Sequence, residues 1–135
     1  VAKVYLRSGL EDRIQDQLKL SGVRYYYETE KIPYKVPASS RKYTPDFIIY
    51  TKSGKKIYIE GKGIWDYQDR YKHLLIRKQH PNLDIRFVFS NSKSKIRKGS
   101  PTTYADICNG IGRPPFKGHI WKFSNKKVPK EWLNE

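Results

Sequence analysis

Glu60 and Lys62, in the stretch IYIEGKGIW, and Asp46, in YTPDF, are the residues whose types and spacing can do chemistry. Residues two apart on a strand project to one face, so Glu60 and Lys62 share a wall while Ile57 and Ile59 face the other way. A hairpin turning at TKSG brings Asp46 beside the end of the Glu60 strand. Two carboxylates converging with an ammonium make a site for a divalent metal with a cation alongside. Phosphodiester hydrolysis uses this equipment. Carboxylate oxygens bind Mg²⁺, and two ions about 3.5 to 4 Å apart clamp the entering and leaving oxygens. Lysine orients the water or adds positive charge at the phosphoryl oxygens. Gly61 leaves its own carbonyl accessible as a further ligand. The bland alternative is a surface ion pair worth about 0 to 1 kcal/mol. The upstream Asp46 and the charge of the chain weigh against it.

Positioning these residues requires a particular order of elements. RSGLEDRIQDQLKLSG reads as a helix in which Ser8 caps, Glu11 sits at the capping-box position, Leu10, Ile14 and Leu18 share a face, and Gly22 forms the exit. VRYYYETEKIPYKV alternates as β structure, with Pro33 and Pro37 confining its later part to an edge or a crossing arm, and PASS follows as a loop or hinge. YTPDFIIY and KKIYIEGK flank the hairpin turn at Gly54 and run antiparallel. YQDRYKHLLIRKQH carries Tyr67, Tyr71, Leu74 and Leu75 at helical spacing and stops at Pro81; DIRFVFS is a strand suited to burial on both faces. NSKSKIRKGS is a basic loop, PTTYADICNG a short helix capped by Thr102 or Thr103, and the remainder holds a strand around Ile120 and a terminal turn packing Trp132. The order predicts an α/β fold, one mixed β-sheet flanked by helices.

The 135 residues suit one domain spanning 1–135, and 11 Tyr, 5 Phe and 3 Trp mark a folding chain rather than a disordered tail. Twenty-eight Lys and Arg against 13 Asp and Glu give +15, a charge that self-repels unless a polyanion is bound. Nucleic acid is the expected partner. No stretch forms a basic amphipathic helix with a broad apolar face, and none approaches the roughly 18 apolar residues of a membrane span. A lone Cys108 and the lack of a secretory h-region predict a reducing cytoplasm.

Around the site, Lys93, Lys95, Arg97 and Lys98 in the basic loop, with Arg41 and Lys42 before the Asp46 strand, are candidates to grip phosphates. Arg7 and Ser8 at the first helix start offer backbone N–H groups to another. His73 and His80 read as surface or DNA-facing residues, Cys108 as an apolar filler, and Trp65 as either a packing residue or a base-stacking one.

PDF followed by EGK resembles the PD-(D/E)xK nuclease pattern. RSGLED, PYKVPASSRKYTPDF, KHLLIRKQHPNLDIRFVFS, KGSPT and VPKEWL resemble the T-seven-type phage endonuclease I family, the four-way (Holliday) junction resolvases. The resemblance covers residues 7 to 108 nearly continuously and resumes near Val128; NGIGRPPFKGHIWKFSNKK departs from it. It implies a restriction-endonuclease-like fold and a Mg²⁺-dependent endodeoxyribonuclease, with Mn²⁺ substituting and two ions per active site. Asp46 and Glu60 would be metal ligands, Glu11 would complete the acidic cluster and Lys62 would be the catalytic lysine. It further implies a domain-swapped homodimer, with residues 31–40 as the bridge between subunits and Glu11 supplied by the other chain. The substrate would be branched DNA, cut in pairs, with no small-molecule cofactor, in the cytoplasm of a host cell by a phage-encoded or prophage-derived protein. The rivals are a sequence-specific PD-(D/E)xK nuclease and a non-catalytic basic DNA- or RNA-binding protein.

Overall fold

The Ser8 hydroxyl accepts the Glu11 N–H at 3.1 Å and starts α1 (Gly9–Ser21), which ends at Gly22 in the left-handed conformation, φ 69°. That start and stop follow from the residues themselves, a short polar cap and a glycine without a Cβ. The computed structural model describes residues 8–36 and 39–135. After α1 come β1 (Arg24–Tyr27), β2 (Ile32–Val36), β3 (Ser39–Tyr43), β4 (Phe47–Tyr50), β5 (Lys56–Lys62), α2 (Tyr67–Gln79), β6 (Ile85–Phe89), α3 (Tyr104–Cys108), β7 (Lys122–Asn125) and α4 (Lys130–Leu133).

The main sheet has the order β1-β4-β5-β6-β7. β4 and β5 are antiparallel, with Phe47 opposite Ile59 and Tyr50 opposite Lys56, as the TKSG turn predicts. β5 and β6 are parallel, and α2 is the crossover such a pair requires. α1 lays Leu10, Ile14 and Leu18 against Phe47, Ile49, Ile57 and Ile59 on one face of the sheet. Each such buried side chain contributes roughly 1.5 to 3 kcal/mol. The opposite face packs Trp65, Phe87, Phe89 and Trp121 beneath α2 and α3. Trp65 is therefore a core residue, with Phe87 at 4.9 Å between ring centroids, and Cys108 is a buried filler as expected. At the far end of α1, Gln17 exchanges side-chain hydrogen bonds with the N–H and C=O of Val128, tying the VPKEWL segment down.

Four local expectations change. Ser39 and Ser40, expected in a loop, lie in β3; Pro37 and Ala38 fall outside the described residues. Residues 32–36 fold back on 39–43 as a two-stranded hairpin within one chain, with Ile32 opposite Tyr43 and Pro33 opposite Lys42. This two-stranded sheet tolerates Pro33 because only one partner needs its backbone. The strand expected around Ile120 starts at Lys122, and Ile120 makes only an isolated bridge to Asn109. On α2 the buried positions are Arg70, His73, Leu74 and Ile76, while Tyr67 is exposed. The sheet face beneath α2 is already filled by Trp65, Phe87 and Phe89, so Tyr67 turns outward.

Candidate active site

β4 stops at Phe47, so β5 runs on past its antiparallel partner, and the Gly61 N–H on that side is taken by the Asp46 carboxylate at 2.8 Å. Close approach explains the glycine. A Cβ at position 61 would lie 3.3 Å from Ile14 Cδ1, 3.4 Å from Leu10 Cδ2 and 3.6 Å from Asp46 Oδ2. β1 pairs with β4 on its other edge, and directly after β1 the chain turns through Glu28, φ 50°, whose N–H donates to the Asp46 carbonyl at 3.0 Å. The first turn of α1 supplies Glu11, whose Oε2 accepts from the Tyr27 hydroxyl at 2.7 Å. The result is a cluster in which carboxylate oxygens of Glu11, Glu28 and Asp46 all lie within 4.8 Å of one another.

Burial, then the nearby Glu60 charge, drives the Asp46 carboxyl up to about 8; the Gly61 N–H and Lys62 pull the other way without prevailing. Hard oxygen donors this close, one of them pushed toward its neutral form, fit a divalent cation that would relieve the crowded negative charge.

Glu60 and Lys62 project from the other face of β5. Glu60 is buried, its Oε1 accepts from the Tyr43 hydroxyl at 2.6 Å, and its Oε2 lies 3.2 Å from Lys62 Nζ. Lys62 also meets Asp69 Oδ2 at 2.7 Å. Burial works against its charge, yet Glu60 and Asp69 outweigh that and raise the ammonium pKa. Tyr43, pushed well up by burial and then by Glu60, remains a hydroxyl donor at neutral pH.

The residues singled out from the sequence therefore fall into groups. Glu11, Asp46 and Gly61 meet on one side of β5, and Glu60 and Lys62 form an ion pair on the other, with Glu60 acting electrically on Asp46. Arg41, Lys42, Lys93, Lys95, Arg97 and Lys98 are exposed, Lys95 donating to the Pro101 carbonyl at 3.1 Å. Ser8 is exposed but occupied as the α1 cap, and Arg7 lies outside the described residues. His73 is not a surface residue. It is 1% exposed, packed edge-on against Tyr43 at 5.1 Å and Phe87 at 4.8 Å, and burial holds its pKa well below the usual range. His80 contacts the Pro33 carbonyl across to the hairpin.

Sequence reasoning missed Glu28, Tyr43 and Asp69. Asp69 is hidden by a second role, since its N–H donates to the Asp66 cap at 2.8 Å and an acid in a first helical turn needs no other explanation. Glu28 had no local signal, because only the β1–β4 pairing carries it to Asp46.

The whole chain, residues 1–135, matches the family described as Phage endonuclease I. It is similar to "Endonuclease I" of Escherichia phage T7, 48% identical over 129 residues that cover 96% of this chain and 78% of that protein. It is also similar to "Endodeoxyribonuclease 1" of Enterobacteria phage T3, 54% identical over 129 residues covering 96% and 77%. Likeness of that extent shows that the chain belongs to the phage endonuclease I family.

Proposed function

We propose that this protein is a Mg²⁺-dependent endodeoxyribonuclease that cuts branched DNA, four-way junctions above all, by paired phosphodiester hydrolysis. Mn²⁺ substitutes, and each site takes two ions. The observation that carries the reading is the convergence at the end of β5: three carboxylates within 4.8 Å on one side and a lysine held between Glu60 and Asp69 on the other. The T7 and T3 proteins it resembles are named as endonucleases, which supports the reaction class. Charge supports the substrate, since +15 asks for a polyanion.

Asp46, Glu11 and Glu28 would hold a divalent ion, with Glu60 and the Gly61 carbonyl completing the set. Bound there, such an ion supplies a Lewis acid and an activated water. Lys62 adds fixed positive charge where the phosphoryl oxygens become more negative. Asp69 and Glu60 aim its ammonium, and Tyr43 fixes the orientation of Glu60.

Residues 1–135 act as a single nuclease domain of restriction-endonuclease-like fold, working as a homodimer in a host cell's cytoplasm. Among the described residues no helix is long and apolar enough to cross a membrane. The β2–β3 hairpin, residues 32–43, is a separate two-stranded sheet, a marginal element on its own. Opening it would free residues 31–40 to bridge to a second copy, and exchange of an identical element is a low-cost route to a dimer. Two sites about a twofold axis suit a junction, where two strands are cut in concert.

The test is cleavage of an end-labelled four-way junction and its matched linear duplex, with Mg²⁺ or Ca²⁺, by wild type and Glu60→Ala. Mg²⁺-dependent cuts confined to the junction and absent in the variant are expected. Tight binding without cutting in either metal would make the chain a DNA-binding protein only. Mixing Glu11→Ala chains with Asp46→Ala chains tests the exchange: about one competent site per mixed dimer is expected if Glu11 crosses between chains. None is expected if each site lies within one chain, the arrangement in which Glu11 and Asp46 already meet here.

A further inference from the structure

A cavity of about 530 Å³ opens between the start of α2, the basic loop and the 110–118 segment, and three arginines line it: Arg70, Arg97 and Arg113. Arg70 is the unusual one. It is 4% exposed, its Nε has no hydrogen-bond partner, and no carboxylate among the described residues forms an ion pair with it. Its Nη1 donates to the Trp65 carbonyl, and its guanidinium sits 5.8 Å from the ring centroids of both Tyr67 and Phe116. A buried guanidinium with no ion-pair partner is costly, and the Asp66 carboxylate offsets that only through space. Lining the same cavity with two further guanidinium groups adds like-charge repulsion. An anion with several oxygens relieves both, and the planar fork of arginine matches phosphate.

Resting on the reading of this chain as a DNA-cutting enzyme, we infer that this arginine cavity is a second DNA-contact site that seats one nucleotide of the bound strand, its phosphate against Arg70, Arg97 and Arg113. A cavity of this volume is larger than a lone phosphate needs and lies in the range of ligand sites. Tyr67, 55% exposed, offers a ring face to the base or sugar at the rim. The same Tyr67 lines a neighbouring groove of about 790 Å³ whose walls include Asp69, the carboxylate that holds Lys62. The two hollows thus share one side chain, Tyr67, and the groove borders the residue that positions Lys62. One wall is Gly112, Arg113, Pro114 and Phe116, within the stretch NGIGRPPFKGHIWKFSNKK. That stretch therefore both packs on the domain, through buried Phe116, and widens its DNA surface.

Arg113 is exposed, so Arg113→Ala leaves the core intact and is the variant to test. Junction affinity is measured without metal between 50 and 200 mM salt. Arg113→Ala is expected to bind about tenfold more weakly, with the slope of log affinity against log salt shallower by about 1. A neutral methylphosphonate walked along the strand should weaken wild-type binding at one position flanking the cut and have no effect there in Arg113→Ala. Unchanged affinity and slope would overturn the inference. So would a free deoxynucleoside monophosphate that raises the melting temperature of wild type but not of Arg113→Ala while DNA binding stays equal, because the cavity would then take a free nucleotide. The difference between wild type and Arg113→Ala in metal-free binding reads this site apart from catalysis; failure of wild type to cut with Mg²⁺ would count against the nuclease reading instead.

Discussion

At the start of β5, Lys55 lies 3.2 Å from Asp84 and 3.1 Å from Glu135, and both acids grip the buried guanidinium of Arg86. At its far end, Glu11, Glu28 and Asp46 crowd within 4.8 Å, and Lys62 is engaged by Glu60 and Asp69 on the other face. Both regions gather acids beside the same strand, yet the consequences are opposite. The Arg86 hydrogen bonds hold the Glu135 carboxyl down at about 2, whereas burial and then Glu60 push Asp46 up to about 8. One network is electrically complete within the chain and serves the fold. The other gathers three carboxylates within 4.8 Å and pushes one of them up, which is the arrangement expected where a cation and a phosphate are to be received.

The largest effect should come from the Asp46 end. Lys62→Ala removes the ammonium held between Glu60 and Asp69, and junction cleavage should fall by about a thousandfold. Binding in Ca²⁺ should change little, because the exposed cations remain. If affinity fell in step with cleavage, Lys62 would be a binding contact and the contrast between the two ends would lose its functional half. Asp69→Asn, which loosens Lys62 without removing it, should cost about tenfold in single-turnover cleavage.

The next effect belongs to the Arg86 end. Arg86→Met leaves Asp84 and Glu135 without their buried cation and should destabilise the fold by about 3 kcal/mol, read by urea unfolding. Glu60→Gln removes a like charge from beside Asp46 but also the buried partner of Lys62, two effects of opposite sign, so the metal-free protein should change little. Mg²⁺ should raise the melting temperature of wild type and raise that of the variant much less. An equal rise in both would take Glu60 out of the metal-holding set.

These two ends were unequally legible in the sequence. The hairpin that joins Asp46 to Glu60 could be read from TKSG and its flanking β-formers, and α1 from Ser8, Glu11 and Gly22, because local turn and cap chemistry decides both. The face shared by Glu60 and Lys62 followed from strand periodicity alone. Glu28 could not be found that way. Its contribution depends on β1 pairing with β4 and on a positive φ, neither of which a sequence of Tyr and Glu announces. Asp69 was missed and His73 misjudged because a helical acid and a helical histidine look like surface residues until tertiary packing brings them to the site and the core. The Arg86 network was invisible for the same reason, since it joins β6 to Glu135 across 49 residues.

The smallest effect separates the ends by pH. Glu135 has a folded-state pKa of about 2 against the usual 4.5, held down first by hydrogen bonds from Arg86; Asp84, despite its burial, is lowered by the same guanidinium. A carboxyl whose folded value lies below its unfolded one stabilises the fold above the unfolded value and loses that contribution as pH falls through the folded one. Wild-type stability should therefore decline from about pH 4.5 toward about pH 2. The decline should be modest, because the Glu135 side chain is 29% exposed and water screens the pair. In Arg86→Met both acids return toward ordinary values, so the acid limb of the urea midpoint should flatten even though the protein is weaker at neutral pH. Parallel limbs in wild type and Arg86→Met would assign the acid sensitivity to other carboxylates and leave the Arg86 network a matter of packing, through its 5.2 Å contact with the Trp132 ring, rather than of charge.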